Sequence, residues 1–304
     1  MVRPRGPEGR VLEYRSGFVS IMGSPNVGKS TLMNALIGQK VAIATTKAQT
    51  TRNKVTGILT RDAYQIIFLD TPGIHTPKNR LGEYMVRTAY EANRDVDLTI
   101  MVIDAKAGIG LRDVELLQKI QSDHFLAVIN KIDLVSPEDI QKLSEKLQTF
   151  GVEQENIRFV SAARLSGIRA LEQAILGFLP PGPQYYPADM VTDRPERFIA
   201  AEIIREKALA NLREEVPHGV GVEIEKIEET ADLTEVAAVF YCEKDSHKGI
   251  ILGKKGTMMK KISTEARKDL EMLFGAHVYL SIFVKVKPDW RNSNFMLKEL
   301  GYRD

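Results

Sequence analysis

Apolar and polar positions along the first 180 residues alternate between two periods. Short apolar runs at Phe18 to Met22, Gln65 to Leu69, Leu98 to Ile103, Phe125 to Ile129 and Ile157 to Val160 read as buried strands. Between them, Lys29 to Gly38, Leu81 to Asn93, Asp113 to Gln121, Pro137 to Phe150 and Ile168 to Leu179 carry apolar residues at the helical spacing. Strand and helix in alternation predict βαβ units and a mostly parallel, doubly wound sheet covered on both faces. Val55 to Thr60, a short polar turn away from Gln65, predicts an antiparallel edge hairpin. Beyond a stretch with four prolines at 179–189 the order changes. A long amphipathic helix over Glu196 to Glu215 leads to alternating runs at Val220 to Glu228 and Glu235 to Cys242. A short apolar run at Gly249 to Leu252, a helix after Thr257 and a strand at Val278 to Val286 complete an α-β-β-α-β order. The expected organisation is a lead-in at 1–15, an α/β domain at 16–180, a Pro-rich linker at 181–195 and a small α+β domain at 196–304.

Composition narrows the class. The chain has 304 residues, 43% of them hydrophobic and 27% charged, which suits a globular protein of two domains. One cysteine, Cys242, excludes an intramolecular disulfide framework and sites built from several thiolates, and makes a reducing cytosol the simplest location. No apolar run approaches the roughly 20 residues that span a bilayer. The amino terminus has no apolar stretch behind its charges, so no secretory signal is expected. A net charge of +2 argues against a nucleic-acid binder only if charge is evenly spread. It is not: residues 223–235 hold six acids and one base, whereas residues 244–268 hold eight bases and two acids.

Gly23-Ser-Pro-Asn-Val-Gly-Lys-Ser30 follows a predicted strand and opens a predicted helix. In that setting GxxxxGK[ST] is a phosphate-binding loop, because glycines let successive backbone N–H groups turn inward around phosphate oxygens at a helix N-terminus. The contacting residues are Gly23, Ser24, Pro25, Asn26, Val27, Gly28, Lys29, Ser30 and Thr31. Lys29 would contact the β- and γ-phosphates and the Ser30 hydroxyl would ligate Mg²⁺. Asp70-Thr71-Pro72-Gly73 ends the next strand, where the Asp70 carboxylate can hold the metal and the Gly73 N–H can reach the γ-phosphate. Asn130-Lys131-Ile-Asp133 ends another; the Asp133 carboxylate can accept from the N1–H and 2-amino group of guanine, a donor pair that adenine lacks. Ser161-Ala162-Ala163 ends the next and can offer a backbone N–H to the guanine O6. Four segments at the carboxyl ends of parallel strands, in this order, point to GTP rather than ATP.

Gly253-Lys254-Lys255-Gly256 opens the helix after Thr257. A GxxG loop in this position marks a KH module, whose backbone approaches single-stranded RNA as only glycine permits. The α-β-β-α-β order fits the type II arrangement. Lys254, Lys255, Lys260, Lys261 and Lys268 supply phosphate contacts, and Ile250, Ile251 and Leu252 are open between an apolar base platform and core. The acidic stretch 223–235 reads as a solvated face.

Gly23-Ser-Pro-Asn-Val-Gly-Lys-Ser-Thr31 and Gln49-Thr-Thr-Arg52 resemble the Era family within the translation-factor class of GTPases. The similarity runs from about Ser16 to Tyr302 and includes Ile204-Arg-Glu-Lys207, Glu265-Ala-Arg-Lys-Asp269 and Val284-Lys-Val-Lys287. It implies GTP hydrolysis with Mg²⁺, binding to the 3′ end of 16S ribosomal RNA and a role in maturation of the 30S subunit, with contact at the cytoplasmic face of the membrane as the alternative. A cytoplasmic monomer is expected. The resemblance assigns Thr51 to Mg²⁺ and the γ-phosphate, with Thr45, Thr46 and Thr50 as neighbouring candidates. Catalysis would then draw on Lys29, Thr51 and Gly73. Ile74 stands where many GTPases carry a water-orienting glutamine, so slow intrinsic hydrolysis is expected, and the resemblance implies help from K⁺, for which Asn26 is a candidate ligand or else a turn residue. His75 reads as a loop residue. Residues 40–56 and 74–82 are the expected switch elements.

Overall fold

A computed structural model describes residues 13–45, 47, 50–72, 77, 79–91, 96–120, 124–230 and 232–302. The expected site and switch residues Gly73, Ile74, His75 and Thr46 lie outside these residues. The chain divides into two compact units. Unit 1 takes the described residues of Met1–Ala42, Asn53–His75 and Val86–Asp193; unit 2 takes those of Ile43–Arg52, Thr76–Met85 and Arg194–Asp304.

Unit 1 is a six-stranded sheet in the order β2-β3-β1-β4-β5-β6. Its strands are β1 (Arg15–Met22), β2 (Val55–Arg61), β3 (Tyr64–Asp70), β4 (Leu98–Asp104), β5 (Phe125–Asn130) and β6 (Ile157–Phe159). All neighbours pair in parallel except β2, which closes an antiparallel hairpin on β3 at the sheet edge. The near-continuous apolar runs follow from burial on both faces: every residue from Leu98 to Ile103 is buried. The helices are α1 (Lys29–Ile37), α3 (Leu111–Lys119), α4 (Pro137–Thr149), α5 (Ile168–Leu176) and α2 (Arg80–Glu91), which crosses the division between units at Met85. Leu116 of α3 and Leu147 of α4 join Met101, Ile103, Ala127 and Ile129 in one core. Part of the Pro-rich stretch is bound to this unit. Gln65 Oε1 accepts from the backbone N–H of Tyr185 at 2.8 Å and of Tyr186 at 3.0 Å, and the Ile58 N–H donates to Val191 O at 2.8 Å.

Unit 2 contains a three-stranded sheet, β7 (Gly221–Glu229), β8 (Leu233–Cys242) and β9 (His277–Val286), in that order, with β7 antiparallel and β9 parallel to β8. The helices are α6 (Glu196–Asn211), α7 (Asp245–Leu252), α8 (Thr257–Phe274) and α9 (Asn294–Glu299). Ile203 and Ala208 of α6 and Ile262, Ala266 and Leu270 of α8 cover the sheet face made by Val236, Ala238 and Phe240. Polar contacts tie the two helices as well: Lys207 pairs with Asp269 at 2.6 Å and Asn211 Nδ2 donates to Glu265 Oε2 at 2.6 Å. Two expectations change. Gly249 to Leu252 is not an isolated run but the end of α7, so the order is α-β-β-α-α-β, and the buried pair His247 and Ile251, four apart, is its inward stripe. Helix α6 ends at Asn211, and it buries Arg205 and Glu206 along with its apolar stripe. Among the described residues no helix is long and apolar enough to cross a membrane.

Candidate nucleotide site and RNA-binding loop

The phosphate loop leaves β1 and enters α1 through residues whose backbones turn the wrong way for most side chains. Asn26 has φ 66° and Gly28 φ 100°. At Gly28 a Cβ would stand 2.4 Å from Asn130 Nδ2, so only glycine lets the loop pass this close to the β5 end. Lys29 reaches back over the loop, donating from Nζ to Gly23 O at 3.0 Å and Ser24 O at 3.1 Å. Its burial pushes the ammonium pKa down, against the opposing pull of Asp70 and Asp113. The ammonium is thereby held against the loop backbone, where a phosphate oxygen could replace these carbonyl partners.

In the first turn of α1, the Ser30 hydroxyl donates to Asp70 Oδ2 at the end of β3 at 2.6 Å, and both residues are buried. A hydroxyl and a carboxylate held together beside the loop are hard oxygen donors of the kind that Mg²⁺ takes, so these residues fit the metal. Thr71 donates from Oγ1 to Ile21 O at 3.1 Å, fixing the start of the segment that leads to Gly73. Pro72 is buried, Pro25 is half-buried, Val27 is buried and Thr31 is half-buried in α1.

The ends of β5 and β6 are built as one piece with this loop. Asn130 Nδ2 donates to Val27 O at 2.9 Å, and its Oδ1 accepts from the Ala162 N–H at 3.1 Å. Lys131, at φ 65°, donates from Nζ to Asn26 O at 2.7 Å and to Asp104 Oδ2 at 2.6 Å. The Ser161 hydroxyl donates to Asp133 Oδ1 at 2.5 Å, which orients the carboxylate. Ala162 is buried and Ala163 exposed on the turn before α5. Asp113 is a support that sequence reasoning missed: its Oδ1 accepts from Ser24 Oγ at 2.6 Å and its Oδ2 from the Gly110 N–H at 3.0 Å. The signal was a carboxylate three residues into a helix, read only as a boundary. Thr51 is buried and belongs to the segment grouped with unit 2, as do Thr45 and Thr50, whose hydroxyls lie 2.7 Å apart.

In unit 2, Gly253 has φ 71° and ψ 168°, and a Cβ there would meet Met258 Cβ at 2.6 Å and its backbone N at 2.8 Å. Lys255 at φ 53° and Gly256 at φ 78° continue the turn into α8. Lys254, Lys255, Lys260 and Lys261 are exposed beside it, and so is Lys268 further along α8. Ile251 is a correction: it is fully buried in the core, and Ile250, 48% exposed, is the apolar residue of α7 that reaches the surface. A residue one position along a helix turns about 100°, which separates the two.

Residues 18–131 match the family described as 50S ribosome-binding GTPase, and residues 215–291 match the KH domain. GTPase Era of Ruminiclostridium cellulolyticum is 48% identical over 299 residues, covering 96% of this chain and 99% of that protein. GTPase Era of Alkaliphilus metalliredigens is 47% identical over 296 residues, covering 96% and 100%. The crystal structure of an Aquifex aeolicus Era bound to GDP and AlF4⁻ resembles this chain with a TM-score of 0.91 at 39% identity, covering 95% of this chain and 100% of that one. A structure of Era in complex with MgGDPNP and nucleotides 1506–1542 of 16S ribosomal RNA gives a TM-score of 0.91 at 39% identity, covering 96% and 100%. With a phosphate-loop motif, an Asn-Lys-x-Asp strand end and a GxxG helix in one chain that is alike over nearly its whole length, the protein belongs to the Era family of GTPases.

Proposed function

We propose that this GTPase is a nucleotide-driven switch that binds the 3′ end of 16S ribosomal RNA and assists maturation of the 30S subunit in the cytoplasm. The observation that carries the reading is the GxxG turn: Gly253 is packed so tightly on Met258 that only a bare backbone fits, with exposed Lys254 and Lys255 on its open side. A relative of the same architecture was crystallised with that stretch of RNA. Gly253, Lys254, Lys255 and Gly256 would clamp the strand, Lys260 and Lys261 would follow its phosphates, and Ile250 takes the place of Ile251 against the bases. The working domains on this reading are 16–180 for GTP and 196–304 for RNA.

In the nucleotide site, Lys29 and the Gly73 N–H would bear on the γ-phosphate, Ser30, Thr51 and Asp70 on Mg²⁺, and Asp133 with Ser161 to Ala163 on guanine. Mg²⁺ would neutralise charge that develops on the transferred phosphoryl oxygens. Asn26, exposed at φ 66° on the loop, is the proposed K⁺ ligand; GTP turnover equal in sodium and potassium buffers would remove that assignment. Crosslinking the protein to ribosomal RNA with a GTP analogue and with GDP tests the main reading. Contacts clustered at the 3′ end and stronger in one state are expected; contacts scattered over the RNA would refute it.

A further inference from the structure

Of Gln49-Thr-Thr-Arg52 only Thr51 enters the chemistry above, and Ile204-Arg-Glu-Lys207 carries no part of it. In unit 2 the two motifs meet. Arg205, held by Glu202 at 2.6 Å, donates to the Thr50 carbonyl oxygen, and Glu206 Oε1 accepts from the Ala44 N–H at 3.5 Å. Lys47 Nζ donates to Leu212 O just past α6. The segment ends in a socket. The Arg52 guanidinium lies 5.7 Å from the ring centroids of both Trp290 and Tyr302, whose planes differ by 27°. At its edge NH1 donates to Val220 O at 2.8 Å and to the Tyr302 hydroxyl at 3.3 Å, and NH2 donates to His218 O at 2.9 Å. Trp290 is itself pinned by Nε1 donating to Gly219 O at 2.9 Å. A planar cation against two rings with carbonyls at its rim is a fit for arginine that lysine cannot reproduce.

The second expected switch element reaches the same place. Leu81 of that element and Met85 just beyond it are buried in one apolar cluster with Trp290 and Tyr302, and Arg80 NH1 donates to Asn294 Oδ1 at 2.8 Å. Thus both stretches that flank Asp70 in sequence are gripped by residues 290–302 of the unit that also carries the GxxG loop. Arg52 is bonded to Thr51, and the chain passes back to unit 1 at Asn53. Successive Cα atoms stay about 3.8 Å apart across a trans peptide, so a nucleotide that draws Thr51 farther than this tether to Arg52 allows must move the socket.

We propose that the Arg52 socket is where the RNA-binding unit senses the nucleotide: Arg52 is a positioning residue, acting through Thr51, whose seating against Trp290 and Tyr302 differs between the GTP and GDP states. The proposal rests on the assignment of Thr51 to Mg²⁺ and the γ-phosphate. Linkage makes the effect reciprocal, so RNA that favours one seating favours the nucleotide that goes with it.

Trp290 is the sole tryptophan, so intrinsic emission reports on the socket directly. The full-length protein is saturated with GDP or with a non-hydrolysable GTP analogue and Mg²⁺, with occupancy verified by filter retention of labelled nucleotide. Emission is expected to differ between the two states, the difference to be lost in Arg52→Ala, and to persist in Tyr302→Phe, which keeps the ring. Identical emission in the two states of the unmodified protein overturns the proposal, as does a difference that survives in folded Arg52→Ala. If Arg52→Ala does not fold, Tyr302→Ala opens the socket from its other wall, with the same loss expected and the same retention decisive against it. RNA affinity measured alongside separates the two readings. Affinity that ignores the nucleotide while Trp290 responds refutes the proposed switch and leaves the socket standing, and a silent Trp290 with responsive affinity does the reverse.

Discussion

Asn130 holds the phosphate loop by its backbone, its Nδ2 donating to the Val27 carbonyl oxygen at 2.9 Å. The other end of the same amide accepts from the Ala162 N–H, so a single buried side chain joins the loop to the turn that follows β6. Replacing Asn130 by Ala strands a buried carbonyl and a buried N–H, at about 1–3 kcal/mol each. Unit 1 is expected to melt earlier, and affinity for GDP and GTP to fall together by at least about tenfold. Titration with a fluorescent nucleotide and a urea melt check this; unchanged affinity in a folded variant would mean that the loop keeps its shape unaided.

On the proposed assignment base choice falls to Asp133, whose carboxylate is oriented by the Ser161 hydroxyl at 2.5 Å. Two charge-assisted bonds to guanine at about 1.5 kcal/mol each imply that Asp133→Asn lowers GTP affinity roughly 100-fold. The amide matches the edge of xanthine, so XTP should bind better to the variant than GTP does. Competition between the two nucleotides for the variant is the measurement.

For RNA, Gly253 and its lysines should fail differently. Gly253→Ala forces a side chain into a glycine-only conformation and onto Met258, at about 1–3 kcal/mol, so RNA affinity and the stability of unit 2 should drop together. Exposed Lys254 and Lys255 contribute little to the fold. Their double alanine variant should melt normally, bind RNA less tightly, and show a plot of log affinity against log salt that is shallower by about 1.4, at ~0.7 per phosphate on a single strand. An unaltered slope would place the backbone of the RNA elsewhere.

The strands of unit 1 and the residues of its motifs were legible because parallel strands buried on both faces leave long apolar runs, and because phosphate and guanine each demand particular groups at strand ends. Helix α7 was not, since only Gly249 to Leu252 forms a visible apolar run and Gly249 lowers helix propensity; the pairing of His247 with Ile251 at four residues was the available sign. Ile251 and Ile250 could not be apportioned without that helix. Arg52 illustrates a deeper limit. Nothing near it in the sequence marks it as buried, and its burial depends on Trp290 and Tyr302, far away in the chain and brought to it only by the fold. The buried Arg205 of α6 hides for the same reason, because a helical stripe predicts which face meets a core but not that a second face will be covered by a distant segment.

His218 gives the socket a dependence on pH. Its carbonyl oxygen accepts from Arg52 at 2.9 Å, while burial, and then the positive charges of Arg52, Lys47 and Arg291, hold its imidazole pKa below the ordinary value of 6.5. The unfolded chain takes up this proton near pH 6.5 and the folded chain only at lower pH. The contribution is therefore fully present above pH 6.5 and is lost as the pH falls from there through the folded-state value. Acidification is expected to lower the urea midpoint of unit 2, and His218→Gln, which cannot gain the charge, to lessen that fall while leaving the midpoint at pH 7.5 close to that of the unmodified protein. Parallel urea titrations at pH 7.5 and pH 5 with Trp290 emission as the readout decide it. Equal acid losses in the two proteins would show that the cluster around Arg52 accommodates a second cation without cost.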